Sequence, residues 1–122
     1  MLIDLSLIDL VDKIRSGNIF AESLMDEVYS RINQYNSQLN VFLSLLPYEI
    51  AIVRAQKIDQ KISSGQTVGK LAGIPVSIKD NICINDPELS NSCGSQILFD
   101  YHSPYNATTV EKLLREDAII IG

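Results

Sequence analysis

The chain has 122 residues, 46% of them hydrophobic and 20% charged, a balance that belongs to folded globular proteins and excludes a disordered or low-complexity segment. Ten Lys and Arg against 15 Asp and Glu leave a formal charge of -5, which disfavours a general grip on nucleic acid through a basic surface. No apolar run approaches the roughly 18–20 residues of a bilayer span, and Asp4, Asp9 and Asp12 stand where a targeting peptide would be basic, so the expected location is cytoplasmic with no membrane partner.

Ser6 opens a run, Leu7, Leu10, Val11 and Ile14, with the spacing of one apolar helix face, and Gly17 stands where a helix ends. A second stripe, Leu24, Val28, Ile32 and Tyr35, predicts a helix over 21–36 with Glu22, Asp26, Glu27 and Arg31 on its polar side. Its start lacks a cap, because Phe20 and Ala21 occupy the places where Ser or Asp is expected. Residues 41–46, ended by Pro47, read as a strand or an extended connector. Ala51, Ala55, Ile58 and Ile62 form a third helical stripe, and 63–70, with Gly65 and Gly69, is a loop. That loop separates a helical part, residues 1–66, from residues 67–122.

In the second part, residues 71–78 predict a short buried strand, and the polar trio Lys79, Asp80, Asn81 follows it at once. An irregular polar stretch covers 85–94. Asn106 is expected to cap a helix running through Val110, Leu113 and Leu114, and Ala118 to Ile121 predict another buried strand. Strand, helix, strand is a parallel α/β pattern with the helix on one sheet face. Because the chain stops one residue after that apolar strand, the expectation is the front portion of a longer protein.

Lys79 is the leading candidate for chemistry. It closes an apolar strand at the end where clefts open, and a lysine partly withdrawn from water there releases its proton more readily and can act as a general base. The plain alternative is a solvated lysine paired with Asp80. Ser77 shares a face with Lys79 by the two-residue alternation of strands, which invites a Ser/Lys pair. Cys93, with His102 further on, could supply a thiol and a base, and spacing alone does not bring them together. Cys83, Cys93 and His102 are too few for a zinc site and read as two reduced, structural thiols beside a lone histidine. No phosphate-cradling glycine loop and no Gly-x-Ser-x-Gly elbow occurs.

The segment Leu71-Ala72-Gly73-Ile74-Pro75-Val76-Ser77-Ile78-Lys79-Asp80-Asn81-Ile82 resembles the lysine segment of the amidase signature family. Ser92-Cys93-Gly94-Ser95 with Ile97 and Leu98, Pro104 to Leu113, and Ala118 to Gly122 resemble the loop, helix and strand that follow it in that family. Arg31-Ile32-Asn33 and Leu39 to Phe42 are similar to its N-terminal helices. Within the family, Lys79 to Cys83 and Pro104 to Leu113 most resemble the glutamine-hydrolysing A-type subunits of tRNA-dependent amidotransferases. Three features depart from the pattern: Asn106 replaces an Asp, Glu116-Asp117 replaces Ala-Gly, and 85–92 is longer than the usual loop and lacks its glycine.

The resemblance implies N-terminal helices followed by the first strands and helix of a mixed α/β sheet. It implies that Lys79 is the base of a Ser–cisSer–Lys triad, with both serines outside these residues, so that the chain alone lacks a nucleophile and is inactive. It further implies glutamine as amide donor and two amidotransferase partners, the B-type and C-type subunits. Mischarged tRNA would be reached through the B-type partner, which uses ATP and magnesium, with no cofactor in this chain. A stand-alone amidase acting on another small amide, or a non-catalytic interaction fragment, are the alternatives.

Overall fold

The computed structural model describes residues 1–122. A single 3-10 turn, Leu2–Asp4, leads into α1, Leu7–Arg15. Ser6 caps α1 by accepting from the Asp9 amide at 3.1 Å and donating its hydroxyl to the Asp9 carboxylate at 2.7 Å. The helix buries Leu10 and Ile14 and ends at Gly17, whose φ of +74° a side chain would resist.

Helix α2, Ala21–Leu39, starts on Phe20, which offers no capping group. The cap comes from α3, Tyr48–Ser63: Asp59 accepts from the amides of Ala21 at 2.7 Å and Glu22 at 3.1 Å. A carboxylate at a helix N-terminus satisfies orphan donors and meets the positive end of the helix dipole. The buried face of α2 is Ala21, Leu24, Met25 and Tyr29, which corrects the expected stripe. Leu24 belongs to it, Val28 and Ile32 are half-buried on its flank, and Tyr35 is exposed. Helix α3 buries Ala51, Ala55 and Ile58 as expected, and its two alanines let the helices approach. The Tyr29 hydroxyl donates to the Leu46 carbonyl at 2.7 Å, and burial pushes its pKa up to about 12.

The α/β part is a parallel pair, β1 Pro75–Val76 and β2 Ile119–Ile120, with α4, Thr108–Arg115, before the second strand. The pair is shorter than the expected 71–78 and 118–121. Residues 71–73 turn instead, because Gly73 holds φ +75° and lies so close to α2 that a Cβ there would meet the Cβ of Ala21 at 2.5 Å. Backbone bonds from Ile119 to Ile74, from Ile121 to Val76 and from Ile78 to Gly122 carry the parallel pairing beyond the two strands. Residues 41–46 form a connector and not a strand, with one backbone bond from Leu46 to Ile121 at 2.8 Å. Asn106 does not cap α4, whose N-cap is Ala107; its side chain accepts from the Asn85 amide at 2.7 Å and ties the irregular loop to the helix start. No helix is long and apolar enough to cross a membrane.

A second long-range carboxylate closes the turn before β1. Asp117 holds φ +59°, a left-handed conformation that glycine adopts freely and aspartate adopts at some cost. Its carboxylate accepts from Lys61 Nζ and from the Gly69 amide, both at 2.8 Å, and the neighbouring Glu116 carboxylate accepts from the Lys70 amide at 2.7 Å. The two acidic residues that depart from the expected Ala-Gly therefore act as a clasp.

Replacing Asp59 with Ala is expected to lower the unfolding free energy by about 1–2 kcal/mol, read as a lower urea midpoint at unchanged m-value, while Asp59→Asn, which keeps an acceptor, loses less. Burial raises the pKa of Asp117, but the hydrogen bonds from Lys61 and Gly69 outweigh it and hold the group below its ordinary 3.8. The folded value thus lies below the unfolded one, so the stabilisation is complete above about pH 4 and lost as pH falls through the folded value. Asn tolerates the same φ, so Asp117→Asn isolates the charge. Urea midpoints of the two proteins are expected to differ near neutral pH and to converge towards pH 2.

Candidate active site

The extended backbone beyond β1 delivers residues 77–81 to the wall of a cleft of about 540 Å³. Four separate pieces of chain line it: 41–44, 77–81, Cys93 and Gly122. The position follows from the pairing, since Ile78 donates to the Gly122 carbonyl and so places both strand ends at one edge of the cavity.

Lys79 and Ser77 both line this cleft and both are exposed, as residues two apart on one face should be. No hydrogen bond joins them. Lys79 takes part in none of the five ion pairs and its ammonium has no hydrogen-bond partner. The expected Lys79–Asp80 pair is absent: Asp80 Oδ2 instead accepts from the Ser92 amide at 3.0 Å and the Ser92 hydroxyl at 2.7 Å. That bond brings the Ser92 to Ser95 turn to the cleft wall, where the Cys93 thiol donates to the Asp80 carbonyl at 3.5 Å. Cys93 is therefore in the cleft, while His102 is not; it lies on the surface, 3.6 Å from the exposed Asp100. The thiol and imidazole are not brought together. Both cysteines are free.

The stretch 85–92 is ordered against the body of the protein. Leu89 is buried, Asp86 pairs with Arg54 at 2.7 Å, and the buried Asn91 closes the loop by accepting from the Ile84 amide and donating to the Ile82 carbonyl, each at 3.0 Å. Asn91 and Ser92 are the structurally decisive residues to which sequence reading assigned no role of their own. Short polar side chains that bond nearby backbone are common in loops, and nothing in their spacing distinguishes these two.

A family model for amidases matches residues 23–122. The chain is 42% identical over 121 residues to the A-type subunit of glutamyl-tRNA(Gln) amidotransferase from Fusobacterium nucleatum, covering 99% of this chain and 24% of that protein. It is 39% identical over 119 residues to the protein of the same name from Natranaerobius thermophilus, covering 98% of this chain and again 24% of the relative. Among solved structures, peptide amidase from Stenotrophomonas maltophilia superposes with a TM-score of 0.85 at 27% identity, over 98% of this chain and 24% of that one. The chain thus spans about a quarter of the length of these proteins.

Away from the cleft lining, the Cys83 thiol donates to the Tyr105 hydroxyl, and this pairing, with the nearby Ser103 hydroxyl, lowers the thiol's pKa. The sulfur lies 3.5 Å from the Tyr105 hydroxyl. Thiolate is the reactive form, so Tyr105→Phe is expected to slow alkylation of Cys83 by iodoacetamide at neutral pH, read by mass spectrometry of the Cys83 peptide, with Cys93 as the internal control.

Proposed function

The chain belongs to the amidase family, and on that premise we propose that it supplies the lysine base of a glutamine amidohydrolase, the ammonia-generating component of a tRNA-dependent amidotransferase. The observation that carries the reading is the placement of Lys79, held by paired backbone at the end of β1 in a cleft and free of any ionic partner. The likeness of nearly the whole chain to A-type amidotransferase subunits, at about 40% identity, supports the glutamine-hydrolysing assignment over other amidases.

In this reading the neutral Lys79 amine accepts a proton through the cis-serine from the nucleophilic serine, whose oxygen bonds to the side-chain amide carbon of glutamine. The resulting ammonium returns the proton to the leaving nitrogen as the carbon–nitrogen bond breaks, releasing ammonia and leaving an acyl-enzyme. Water attacks that ester with Lys79 again taking the proton; the carbon–oxygen bond to the serine breaks, the ammonium returns the proton through the cis-serine to the serine oxygen, and glutamate departs. No residue of this chain is assigned to either serine role. Lys79 is exposed in this chain. The B-type partner would bind the mischarged tRNA and use ATP and magnesium to activate and amidate it, with the C-type protein as the third member, in the cytoplasm. A charge of -5 suits a component that leaves the tRNA to its partner.

The test uses a chimera in which residues 1–122 replace the matching quarter of the Fusobacterium nucleatum relative. Glutamine hydrolysis is expected in the chimera, lost by at least about a thousandfold in Lys79→Ala, and absent from the 122-residue chain by itself. Hydrolysis that survives Lys79→Ala overturns the assignment of the base. The fold likeness to peptide amidase favours a second reading, a stand-alone amidase; a chimera that hydrolyses other primary amides but not glutamine would establish it.

A further inference from the structure

We infer that Asp80 is a positioning residue whose carboxylate, captured by Ser92, is kept off the Lys79 ammonium while it locks the 92–95 turn into the cleft wall. This rests on the reading of Lys79 as a base. A base must spend part of its time as the neutral amine, and a carboxylate on the next residue is the group best placed to hold it charged.

The structure shows how that pairing is avoided. Lys79 and Asp80 open a turn closed by the Ile82 amide, which donates to the Lys79 carbonyl at 2.9 Å. Two charge-assisted bonds at one oxygen, from the Ser92 amide at 3.0 Å and hydroxyl at 2.7 Å, then hold the half-buried Asp80 there. The same serine oxygen accepts from the Gly94 amide at 3.2 Å, and the Ser95 amide returns to the Ser92 carbonyl at 2.8 Å. This compact turn carries two consecutive left-handed residues, Cys93 at φ +52° and Gly94 at φ +67°. A non-glycine residue in that conformation persists where surrounding bonds over-determine it, and here those bonds converge on Asp80. The thiol of Cys93 completes the closure on the Asp80 carbonyl and lines the cleft with Lys79.

The arrangement predicts how readily Lys79 reacts as a free amine. In the protein, competitive acetylation with trace acetic anhydride at mildly alkaline pH reads the rate at the Lys79 peptide against a reference amine. Ser92→Ala removes the shorter of the two bonds and leaves Asp80 only the backbone amide, and the carboxylate so loosened is expected to slow Lys79 acetylation about fivefold. Ser92→Thr, which supplies the same two donors, keeps the original rate. Asp80→Asn in the Ser92→Ala background restores it, because the charge is gone; loss of the turn alone would not be restored in this way. An unchanged rate in Ser92→Ala, or a double variant as slow as the single one, overturns the inference. Failure of the base assignment is a separate result: amide hydrolysis by the chimera would survive Lys79→Ala while the acetylation pattern stood.

Discussion

The constraint on which the rest of the molecule depends is the start of α2, where two amides have no local partner and a carboxylate from another helix meets them. Asp59 fixes α3 against the first turn of α2. That fixes Ala21, and Ala21 has room only for a glycine at position 73. Gly73 in turn decides where the chain enters β1, and the register of β1 on β2 decides where Lys79 emerges. A helix cap far upstream in the chain is therefore part of the address of the candidate base.

Carboxylates play this part repeatedly. Asp59 closes a helix end, Asp117 and Glu116 clasp the turn before β1, and Glu27 accepts from the Leu2 amide at 2.8 Å to hold the N-terminal turn on α2. Each accepts from main-chain amides that have no main-chain acceptor, at helix starts and in a turn, a use of charge that counts for more than exposed ion pairs. The acidic composition of the chain thus has a structural use in several of its members, quite apart from what a net charge implies about partners.

The features legible in the sequence were those with local causes. The apolar spacing of α1 and α3, the stop at Gly17, the parallel strand–helix–strand order and the exit of Lys79 from a strand all follow from periodicity and punctuation. What escaped was set by residues far apart in the chain. Ala, Met and Tyr on α2 look weaker than Val, Ile and Tyr at helical spacing, yet they are the buried face because α3 approaches on small side chains. Asn106 has the chemistry of a cap, but the Asn85 amide claims its oxygen. Asp80 stands beside Lys79 in the sequence and bonds to Ser92, a choice that depends on where the 92–95 turn returns.

The parallel pairing that carries Lys79 is made by main-chain atoms, from Ile119 to Ile74, Ile121 to Val76 and Ile78 to Gly122, and among these residues Gly122 is the one whose side chain is dictated, since a Cβ there would meet the Ser44 carbonyl at 2.6 Å. The opposite walls of the cleft are loops held by individual side chains. The molecule therefore separates a fixed reactive group from replaceable surroundings: mutation can reshape what the cavity admits, through the 41–44 connector or the 85–94 loop, while the lysine keeps its coordinates. Such a division lets one scaffold diversify in the molecules it accepts without rebuilding its chemistry each time.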